Sequence, residues 1–292
     1  MPEQIGIIGL GIMGSAYARN LAKAGFEIVG CETDESRFAA LSDVSLTRAA
    51  SPADVVAKVD RIMTSLPNAA AFTKVMTEIA ATRRPVVIAD TCTLTVAEKE
   101  VGRAIIEKAG AKLLDCPVGG TGAQAARGDL VIFGSGDEAG FARIRPVFEK
   151  MSRVVHYLGP FGSGSVMKFI HNLLVTIHDC SAAEAFTFGM KAGLDPETVY
   201  DVISTSAGTS RIFEVRGPKM VSGDYVNNIS AKLELLLKDI DCIADHARDM
   251  GCPTPLFSLA SQIHFAAAAQ GFSGADPASV CKVIGDMAGL ER

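Results

Sequence analysis

The chain lacks the residue patterns that mark a zinc site or a disulfide-stabilised secreted domain. Its seven cysteines form no C-x-x-C pair, and an odd number of cysteines fits poorly with a complete set of disulfides. Its five histidines include neither H-x-x-x-H nor H-E-x-x-H, the spacings with which a helix holds zinc. We therefore expect free thiols in a reducing cytoplasm and no bound metal.

Basic clusters and long apolar runs are also missing. The formal net charge is -5, and the 28 Lys and Arg residues are scattered, which argues against a nucleic-acid partner. The apolar stretch 258–269 is broken by polar residues before it reaches the roughly 18 residues that a membrane span requires. The sequence from Met1 has neither the basic nor the long apolar region of a signal peptide. A soluble protein is expected, without nucleic-acid or membrane partners.

The pattern of apolar residues changes near residue 163. A chain of 292 residues with 48% hydrophobic content is long enough for two domains. Up to residue 163, short β-rich runs alternate with helical segments, a pattern typical of parallel strands joined by right-handed crossovers. Beyond it only helical segments follow. The sequence predicts an α/β fold class, with a doubly wound domain at 1–163, a long interdomain helix and an all-α domain at 164–292.

The predicted strands and helices can be bounded from the same periodicities. The predicted strands are 5–10, 28–31, 61–66, 85–90, 112–116, 130–133 and 154–158. The predicted helices are 15–23, 69–82, 96–108, 139–151, 165–191, 196–204, 229–250, 255–270 and 277–287.

A glycine-rich turn with the spacing G-x-G-x-x-G follows the first predicted strand and precedes the first helix. In that position the glycines allow a tight turn, close approach of a pyrophosphate and close packing of helix on strand, while the helix N-terminus faces the phosphates. The predicted dinucleotide-binding residues are Gly9, Leu10, Gly11, Ile12, Met13 and Gly14. The alternative is a purely structural turn. The turn predicts that the first domain is a Rossmann domain.

Glu32 ends the second predicted strand, about 20 residues past the glycines. A carboxylate there accepts hydrogen bonds from ribose hydroxyls and repels a 2'-phosphate, and neither Lys nor Arg follows it directly. The sequence therefore predicts NAD rather than NADP as the cofactor. Two alternatives remain open: Glu32 is only a solvated residue at a strand end, or Arg37 reaches a phosphate.

Five blocks of sequence carry a resemblance to a known family. They are Gly9-Leu-Gly-Ile-Met-Gly14 with its continuation to Gly25, Asp90-Thr-Cys-Thr93, Asp115-Cys-Pro-Val-Gly-Gly-Thr121, Gly162-Ser-Gly-Ser-Val-Met-Lys168-Phe-Ile-His-Asn172 and Leu237-Lys-Asp239. They resemble the 3-hydroxyacid dehydrogenases, which include 3-hydroxyisobutyrate dehydrogenase, tartronate semialdehyde reductase and, more distantly, 6-phosphogluconate dehydrogenase. The resemblance covers nearly the whole chain. It implies hydride transfer between NAD(H) and a small 3-hydroxy acid, in a homodimer or homotetramer.

The resemblance implies that Lys168 is the catalytic acid/base. A hydroxyl proton must leave as the hydride leaves its carbon, and a lysine can take that proton when desolvation and the positive nicotinamide lower its pKa. Asn172, one helical turn later, is expected to orient the substrate hydroxyl or the amine. The alternative is a surface lysine lying along an apolar helix. No role is assigned to His171, although the family commonly has a second Asn there.

The family commonly has Pro-Val-Ser-Gly-Gly where this chain has Pro117-Val-Gly-Gly-Thr121. The resemblance implies that this segment binds the substrate carboxylate. With the serine absent, the backbone N–H groups of Gly119 and Gly120 and the hydroxyl of Thr121 are the predicted ligands. We expect an acidic group to bind there, on a shifted or altered substrate.

Lys238 matches a family lysine close to the active site, which implies that it positions the cofactor or the acid group of the substrate. An exposed lysine paired with a glutamate one helical turn away is the alternative. Leu66, Pro67, Asn68 and Thr93 follow predicted strands at their carboxyl ends, where such folds bind ligands. They are predicted to line the cofactor.

Two other functions use the same fold. An imine reductase shares the fold and the cofactor but generally lacks a lysine at this position, so the pair Lys168 and Asn172 argues against it. A nonenzymatic NAD-binding protein would have kept the fold and lost the chemistry. Turnover of any 3-hydroxy acid would eliminate this second alternative.

Overall fold

The structure is a computed structural model that describes residues 3–290, and the chain divides into two compact units between Lys168 and Phe169. The strands of the first unit are β1 (Gln4–Ile8), β2 (Glu27–Cys31), β3 (Leu46–Arg48), β4 (Arg61–Thr64), β5 (Val87–Asp90), β6 (Lys112–Asp115), β7 (Val118–Gly119), β8 (Val131–Gly134) and β9 (Val154–Tyr157). Its helices are α1 (Ile12–Lys23), α2 (Glu35–Ala39), α3 (Pro52–Lys58), α4 (Ala69–Ala81), α5 (Val96–Lys108), α6 (Gly122–Ala126), α7 (Glu138–Phe148) and the start of α8 (Ser163–Lys191).

Six parallel strands form the main sheet in the order β3-β2-β1-β4-β5-β6. This order confirms the predicted doubly wound Rossmann domain, and the strand order reverses between β1 and β4, the place where such sheets bind ligands. The predicted strands at 130–133 and 154–158 are β8 and β9, which pair parallel in a separate sheet, β7-β8-β9. The short strand β7 was not predicted and pairs antiparallel with β8. The connection 120–130 is shorter than the dozen or more residues of a usual parallel crossover, so the chain turns back.

Both faces of the main sheet are apolar, because neighbouring residues of each strand point to opposite sides. Ile7 belongs to one core cluster and Ile8 to the other. Tyr17 of α1 and Phe148 of α7 pack on the first face, and Phe72 of α4 packs on the second. This packing fixes the carboxyl ends of the strands, from which the candidate site residues extend.

The regular secondary structure of the second unit, in the described residues 169–290, consists of helices, as predicted. After α8 come α9 (Pro196–Ser204), α10 (Arg211–Ser222), α11 (Leu233–Asp249), α12 (Pro255–Ala267), a π-turn (Ala268–Phe272), a 3-10 turn (Pro277–Ser279) and α13 (Val280–Met287). Helix α10 was not predicted, because Pro218 in its interior removes a helical hydrogen bond and reads as a break. No helix in the described range 3–290 is long and apolar enough to cross a membrane.

A buried arginine fixes the helices of the second unit around their apolar core. Arg216 of α10 lies 3.3 Å from Asp179 Oδ1 on α8 and 2.7 Å from Asp276 Oδ1. Asp276 also accepts hydrogen bonds from the backbone N–H and hydroxyl of Ser230. These bonds hold the chain before α11 in a turn, so α11 begins at Leu233 and not at 229 as predicted.

Candidate active site

The glycine-rich turn has the geometry that the sequence predicts for it. Gly9 has a φ of +91°, and a Cβ there would lie 2.2 Å from the carbonyl oxygen of Ser65. A Cβ on Gly14 would lie 1.9 Å from the carbonyl oxygen of Gly9, so α1 packs directly on the turn. Only glycine fits at these two positions.

The N-terminus of α1 is open to an anion. Gly11 is its N-cap, no side chain accepts a hydrogen bond from its first N–H groups, and its first turn contains no acidic residue. Unpaired N–H groups and the helix dipole make this end positive. The turn and the helix end therefore fit the pyrophosphate of a dinucleotide.

Glu32 is fixed in place by the turn that it faces. Its Oε2 accepts the N–H of Leu10 at 2.7 Å, and its Oε1 accepts the N–H groups of Thr33 and Asp34 at 2.7 and 3.1 Å. Partial burial alone would raise the pKa of Glu32, but these backbone hydrogen bonds and the Arg37 guanidinium together lower it below its usual value. The carboxylate is therefore charged at neutral pH and stands beside the glycine-rich turn.

Arg37 lies over the same turn. Its Nη1 is 3.2 Å from Glu32 Oε2 and would be 3.1 Å from a Cβ on Gly11. The side chain is about half exposed. The structure thus brings the two opposed determinants of cofactor choice, one anionic and one cationic, to the same edge of the turn.

The predicted cofactor-lining loops are held by hydrogen bonds of their own. Leu66 donates its N–H to Cys92 Sγ at 3.0 Å. Asn68, after Pro67, is the N-cap of α4 and accepts the N–H of Ala71 at 2.9 Å. The loop containing the half-buried Thr93 leads into α5. Asn68 therefore has a capping role that the sequence analysis did not assign, and its contact with a cofactor stays a prediction.

The predicted carboxylate-binding segment is a tight turn at the end of β7. Gly120 has a φ of +132°, and a Cβ there would lie 2.7 Å from Leu130. Thr121 and Gln124 form a capping box that begins α6, with the Thr121 hydroxyl accepting the N–H of Gln124 at 3.4 Å. The same hydroxyl is 3.3 Å from Gln124 Oε1, so capping already engages the group predicted to replace the serine of the family.

This segment lies beside the glycine-rich turn. A Cβ on Gly122 would be 2.6 Å from Cγ2 of Ile12, the first residue of α1. Asn20 of α1 also donates its side-chain N–H to the carbonyl oxygen of Ala125 at 2.7 Å. The structure thus brings the predicted cofactor and substrate segments of the first unit together.

Lys168 and Asn172 lie one turn apart on α8, and both are buried, with exposed fractions of 8% and 6%. This burial contradicts the alternative of a surface lysine. In the second unit, Asn172 donates its side-chain N–H to Asp239 Oδ2 at 2.6 Å, and Lys238 Nζ is 3.1 Å from Asp239 Oδ1. Asp239 therefore fixes the orientation of the Asn172 amide, a role that the sequence analysis did not assign.

Glu234, the partner of Lys238 in the alternative, forms an ion pair with Lys232 at 3.3 Å. Lys238 is about 42% exposed. Its Nζ pairs with the carboxylate of Asp239 that also accepts the Asn172 amide, and its contact with a ligand stays a prediction.

A buried ion network in the first unit was missed by the sequence analysis. Lys99 of α5 places its Nζ 2.6 Å from Asp115 Oδ1 and 3.0 Å from Asp90 Oδ2, and all three side chains are fully buried. Part of the signal was present in the sequence, since Asp90 and Asp115 each end an apolar strand. Their pairing in register in β5 and β6 and their contact with Lys99 are seen only in the structure. Within residues 3–290 no group of three His, Cys, Asp or Glu residues is placed to hold a metal ion.

Comparison with protein families gives two matches that together span most of the chain. Residues 4–159 match a family described as the NAD binding domain of 6-phosphogluconate dehydrogenase. Residues 162–284 match a family described as the NAD-binding domain of NADP-dependent 3-hydroxyisobutyrate dehydrogenase. The first match alone covers more than half of the chain.

Individual relatives extend over the full length. L-threonate dehydrogenase of Cupriavidus necator is 34% identical over 97% of this chain and 97% of its own. 2-(Hydroxymethyl)glutarate dehydrogenase of Eubacterium barkeri is 31% identical over 98% of this chain and 96% of its own. The crystal structure of a 3-hydroxyisobutyrate dehydrogenase from Salmonella typhimurium superposes with a TM-score of 0.86 at 31% identity, covering 96% of this chain and 99% of that one.

Proposed function

The chain belongs to the 3-hydroxyacid dehydrogenase family, and on this premise we propose that Lys168 is the general acid/base for oxidation of a small 3-hydroxy acid by NAD. The general reaction, NAD-dependent oxidation of a hydroxy acid, follows from the family. The observation that carries the role of Lys168 is its burial on α8, one turn from Asn172, whose amide is held by Asp239.

Bound NAD supplies the hydride acceptor at its nicotinamide carbon. In the oxidation, the neutral amine of Lys168 accepts the hydroxyl proton as the C–H bond breaks, and in the reduction its ammonium returns a proton to the same oxygen. Burial disfavours the charged form of an amine relative to bulk water, which suits a group that must accept a proton.

Asn172 orients the reacting hydroxyl. One of the two side-chain N–H groups of Asn172 donates to Asp239, so the second is the donor available to the substrate oxygen, whose own proton goes to Lys168. A fixed donor holds the substrate oxygen in one geometry, which lowers the entropy lost on reaching the transition state.

The backbone N–H groups of Gly119, which ends β7, and of Gly120, which follows it, are the proposed ligands of the substrate carboxylate. Lys238, whose side chain is about 42% exposed, keeps its proposed role of positioning the cofactor or the acid group. The names of the relatives denote hydroxy acids of four to six carbons: L-threonate, 2-(hydroxymethyl)glutarate and 3-hydroxyisobutyrate. We infer a substrate of this size. The Thr121 hydroxyl, which also caps α6, is the proposed replacement for the serine hydroxyl common in the family.

NAD is preferred over NADP because the charged carboxylate of Glu32 stands beside the glycine-rich turn. Its lowered pKa keeps it ionised at neutral pH, so it accepts hydrogen bonds from ribose hydroxyls and repels a 2'-phosphate. Arg37 reduces this repulsion without removing it, since it is paired with the same carboxylate.

We also propose a cytoplasmic homodimer or homotetramer. Large apolar side chains are exposed on α8 and α12, including Phe188 at 79%, Leu256 at 68% and Leu259 at 65%. Exposed apolar area of this kind is commonly covered by a second copy of the chain. Light scattering after size-exclusion chromatography tests this, and a monomer at micromolar concentration would contradict it.

A substrate panel tests the proposed reaction. The purified protein is assayed for NADH formation with NAD and 3-hydroxyisobutyrate, glycerate, serine, threonate or 2-(hydroxymethyl)glutarate, together with neutral alcohols of the same size. We expect turnover of at least one acid, a matching oxo product and higher kcat/KM with NAD than with NADP. Reaction of the neutral alcohols with failure of every acid would contradict the proposal.

The substitution Lys168→Ala tests the role of the amine. We expect kcat to fall on the order of 100-fold or more, because general acid/base catalysis is lost, while the dissociation constant for NADH hardly changes. Lys191→Ala is the matched control, since it removes an exposed lysine from the last turn of the same helix. Turnover of Lys168→Ala within a few-fold of the control would refute the assignment.

A further inference from the structure

The start of α8 rests on a buried cluster of charged side chains. Asp90 and Asp115 end the neighbouring strands β5 and β6, and Lys99 of α5 bridges them. The hydroxyl of Thr64 donates to Asp90 Oδ1 at 2.7 Å. Two carboxylates and one ammonium give this cluster a formal charge of -1 in a site shielded from water. Such a charge needs compensation by aligned N–H groups or dipoles.

The first N–H groups of α8 supply that compensation. Ser165 donates its backbone N–H to Asp115 Oδ2 at 2.7 Å and its hydroxyl to Asp115 Oδ1 at 2.9 Å. Gly164 donates its N–H to the hydroxyl of Ser135 at 2.9 Å, and that hydroxyl is in turn 3.3 Å from Asp115 Oδ2. A negative group at the positive end of a long helix stabilises both.

The backbone of α8 touches the strand ends directly. A Cβ on Gly164 would lie 2.3 Å from the carbonyl oxygen of Phe133 and 2.6 Å from that of Asp115. No side chain fits between the helix and the ends of β6 and β8. The first turn of α8 is therefore held sterically by the two strands and electrostatically by Asp115.

Lys99 acts as a fixed charge in this cluster. Burial alone would lower the pKa of Lys99, but the carboxylates of Asp115 and Asp90 and the hydrogen bond to Asp115 together raise it above its usual value. The side chain is therefore an ammonium throughout the neutral pH range. It holds Asp115 in place and does not transfer a proton during the reaction.

We propose that Lys99 and Asp115 are positioning residues that set the place of the Lys168 amine by anchoring the first turn of α8. Lys168 follows Gly164 by four residues, about 6 Å along a helix at 1.5 Å per residue. A shift or tilt of that first turn moves the amine by a similar amount. This inference rests on the proposed function, because it has catalytic consequences only if Lys168 is the acid/base.

The substitution Asp115→Asn tests it. Asparagine keeps the size of the side chain and leaves Lys99 paired with Asp90, but it removes the charge that anchors α8. We expect kcat to fall on the order of 10-fold, the pH midpoint of kcat to shift and the dissociation constant for NADH to stay within a few-fold of wild type. NADH binding, followed by fluorescence, reports on the cofactor site without turnover.

Asp137→Asn is the matched control. Asp137 is also a carboxylate that pairs with a lysine, Lys112, and accepts a backbone N–H at the start of a helix, but that helix, α7, carries no residue of the proposed site. We expect this variant to lose some thermal stability while its kcat and pH midpoint stay at the wild-type values.

Two outcomes separate the inference from the proposed function. Full activity of Lys168→Ala would refute the proposed function and the inference with it. If Lys168→Ala is inactive but Asp115→Asn has the same kcat and pH midpoint as Asp137→Asn, the inference alone is refuted. If Asp115→Asn does not fold, Ser165→Ala replaces it, because it removes only the hydroxyl bond to Asp115. We expect a few-fold loss of kcat with unchanged NADH binding, and no loss would refute the inference.

Discussion

Adding one methyl group at Gly164 should show whether the position of the first turn of α8 affects catalysis, apart from any effect on the stability of the protein. The new Cβ of Gly164→Ala would lie 2.3 Å from the carbonyl oxygen of Phe133 and 2.6 Å from that of Asp115. A carbon and a carbonyl oxygen seldom approach closer than about 3.3 Å, so the first turn of α8 must move by about 1 Å. Displacement of a catalytic group by about 1 Å costs on the order of 100-fold in rate.

The assay for Gly164→Ala compares kcat, NADH affinity and thermal unfolding. We expect kcat to fall on the order of 100-fold, NADH affinity to change little and the free energy of unfolding to drop by about 1–3 kcal/mol through overpacking. Gly285→Ala is the control: its new Cβ in α13 would meet only Leu290 at 3.9 Å, an ordinary contact. If Gly164→Ala lost stability but kept the kcat of the control, the link between the first turn and catalysis would be wrong.

Two further substitutions test the charges of the first unit. Glu32→Ala should raise the ratio of kcat/KM for NADP to that for NAD by on the order of 10-fold or more. The substitution removes the repulsion of a 2'-phosphate and releases Arg37 from its ion pair. An unchanged ratio would show that Glu32 does not determine the cofactor preference. Lys99→Met should lower the free energy of unfolding by about 3–5 kcal/mol at neutral pH, because it leaves two buried carboxylates without their cation. The pKa of Lys99 is raised in the folded state, so its contribution to stability is complete below the unfolded pKa of about 10.4 and declines as the pH rises toward the folded pKa. The free energies of unfolding of wild type and Lys99→Met, measured by denaturant titration, should therefore converge in strong alkali. A difference that stays constant with pH would contradict this.

Local signals account for the parts of the fold that the sequence predicts correctly. Helix α5 spans 96–108, as the periodicity predicts, and the capping box of Thr95 and Glu98 fixes its first residue. Helix α9 begins at Pro196 after the N-cap Asp195, as its sequence predicts. The glycine-rich turn is likewise predictable, since all its constraints act between residues close in sequence or on the next strand.

Contacts between residues far apart in the chain account for what was missed. Lys99 meets Asp115 only because α5 packs over the ends of β5 and β6, and no spacing in the sequence encodes that meeting. The same holds for Asp239, which fixes the Asn172 amide across 67 residues. Thr121 has a second role that was missed: it forms a capping box that its own sequence, Thr121 with Gln124 three residues later, already indicates, and its contact with substrate stays a prediction.

The central claim is that the amine of Lys168 exchanges a proton with the substrate oxygen, and rescue of Lys168→Ala by small primary amines tests it most directly. In the oxidation the added amine must be neutral to accept the proton, so the rescued rate should rise with the concentration of its free base and with pH. In the reduction the ammonium donates, so the rate should follow the protonated form and fall as the pH rises. A rescued rate with these opposite dependences is the predicted result. Wild-type turnover by Lys168→Ala would contradict it. So would an inactive Lys168→Ala variant whose rate is unchanged by every added amine small enough to fit the space left by the lysine side chain.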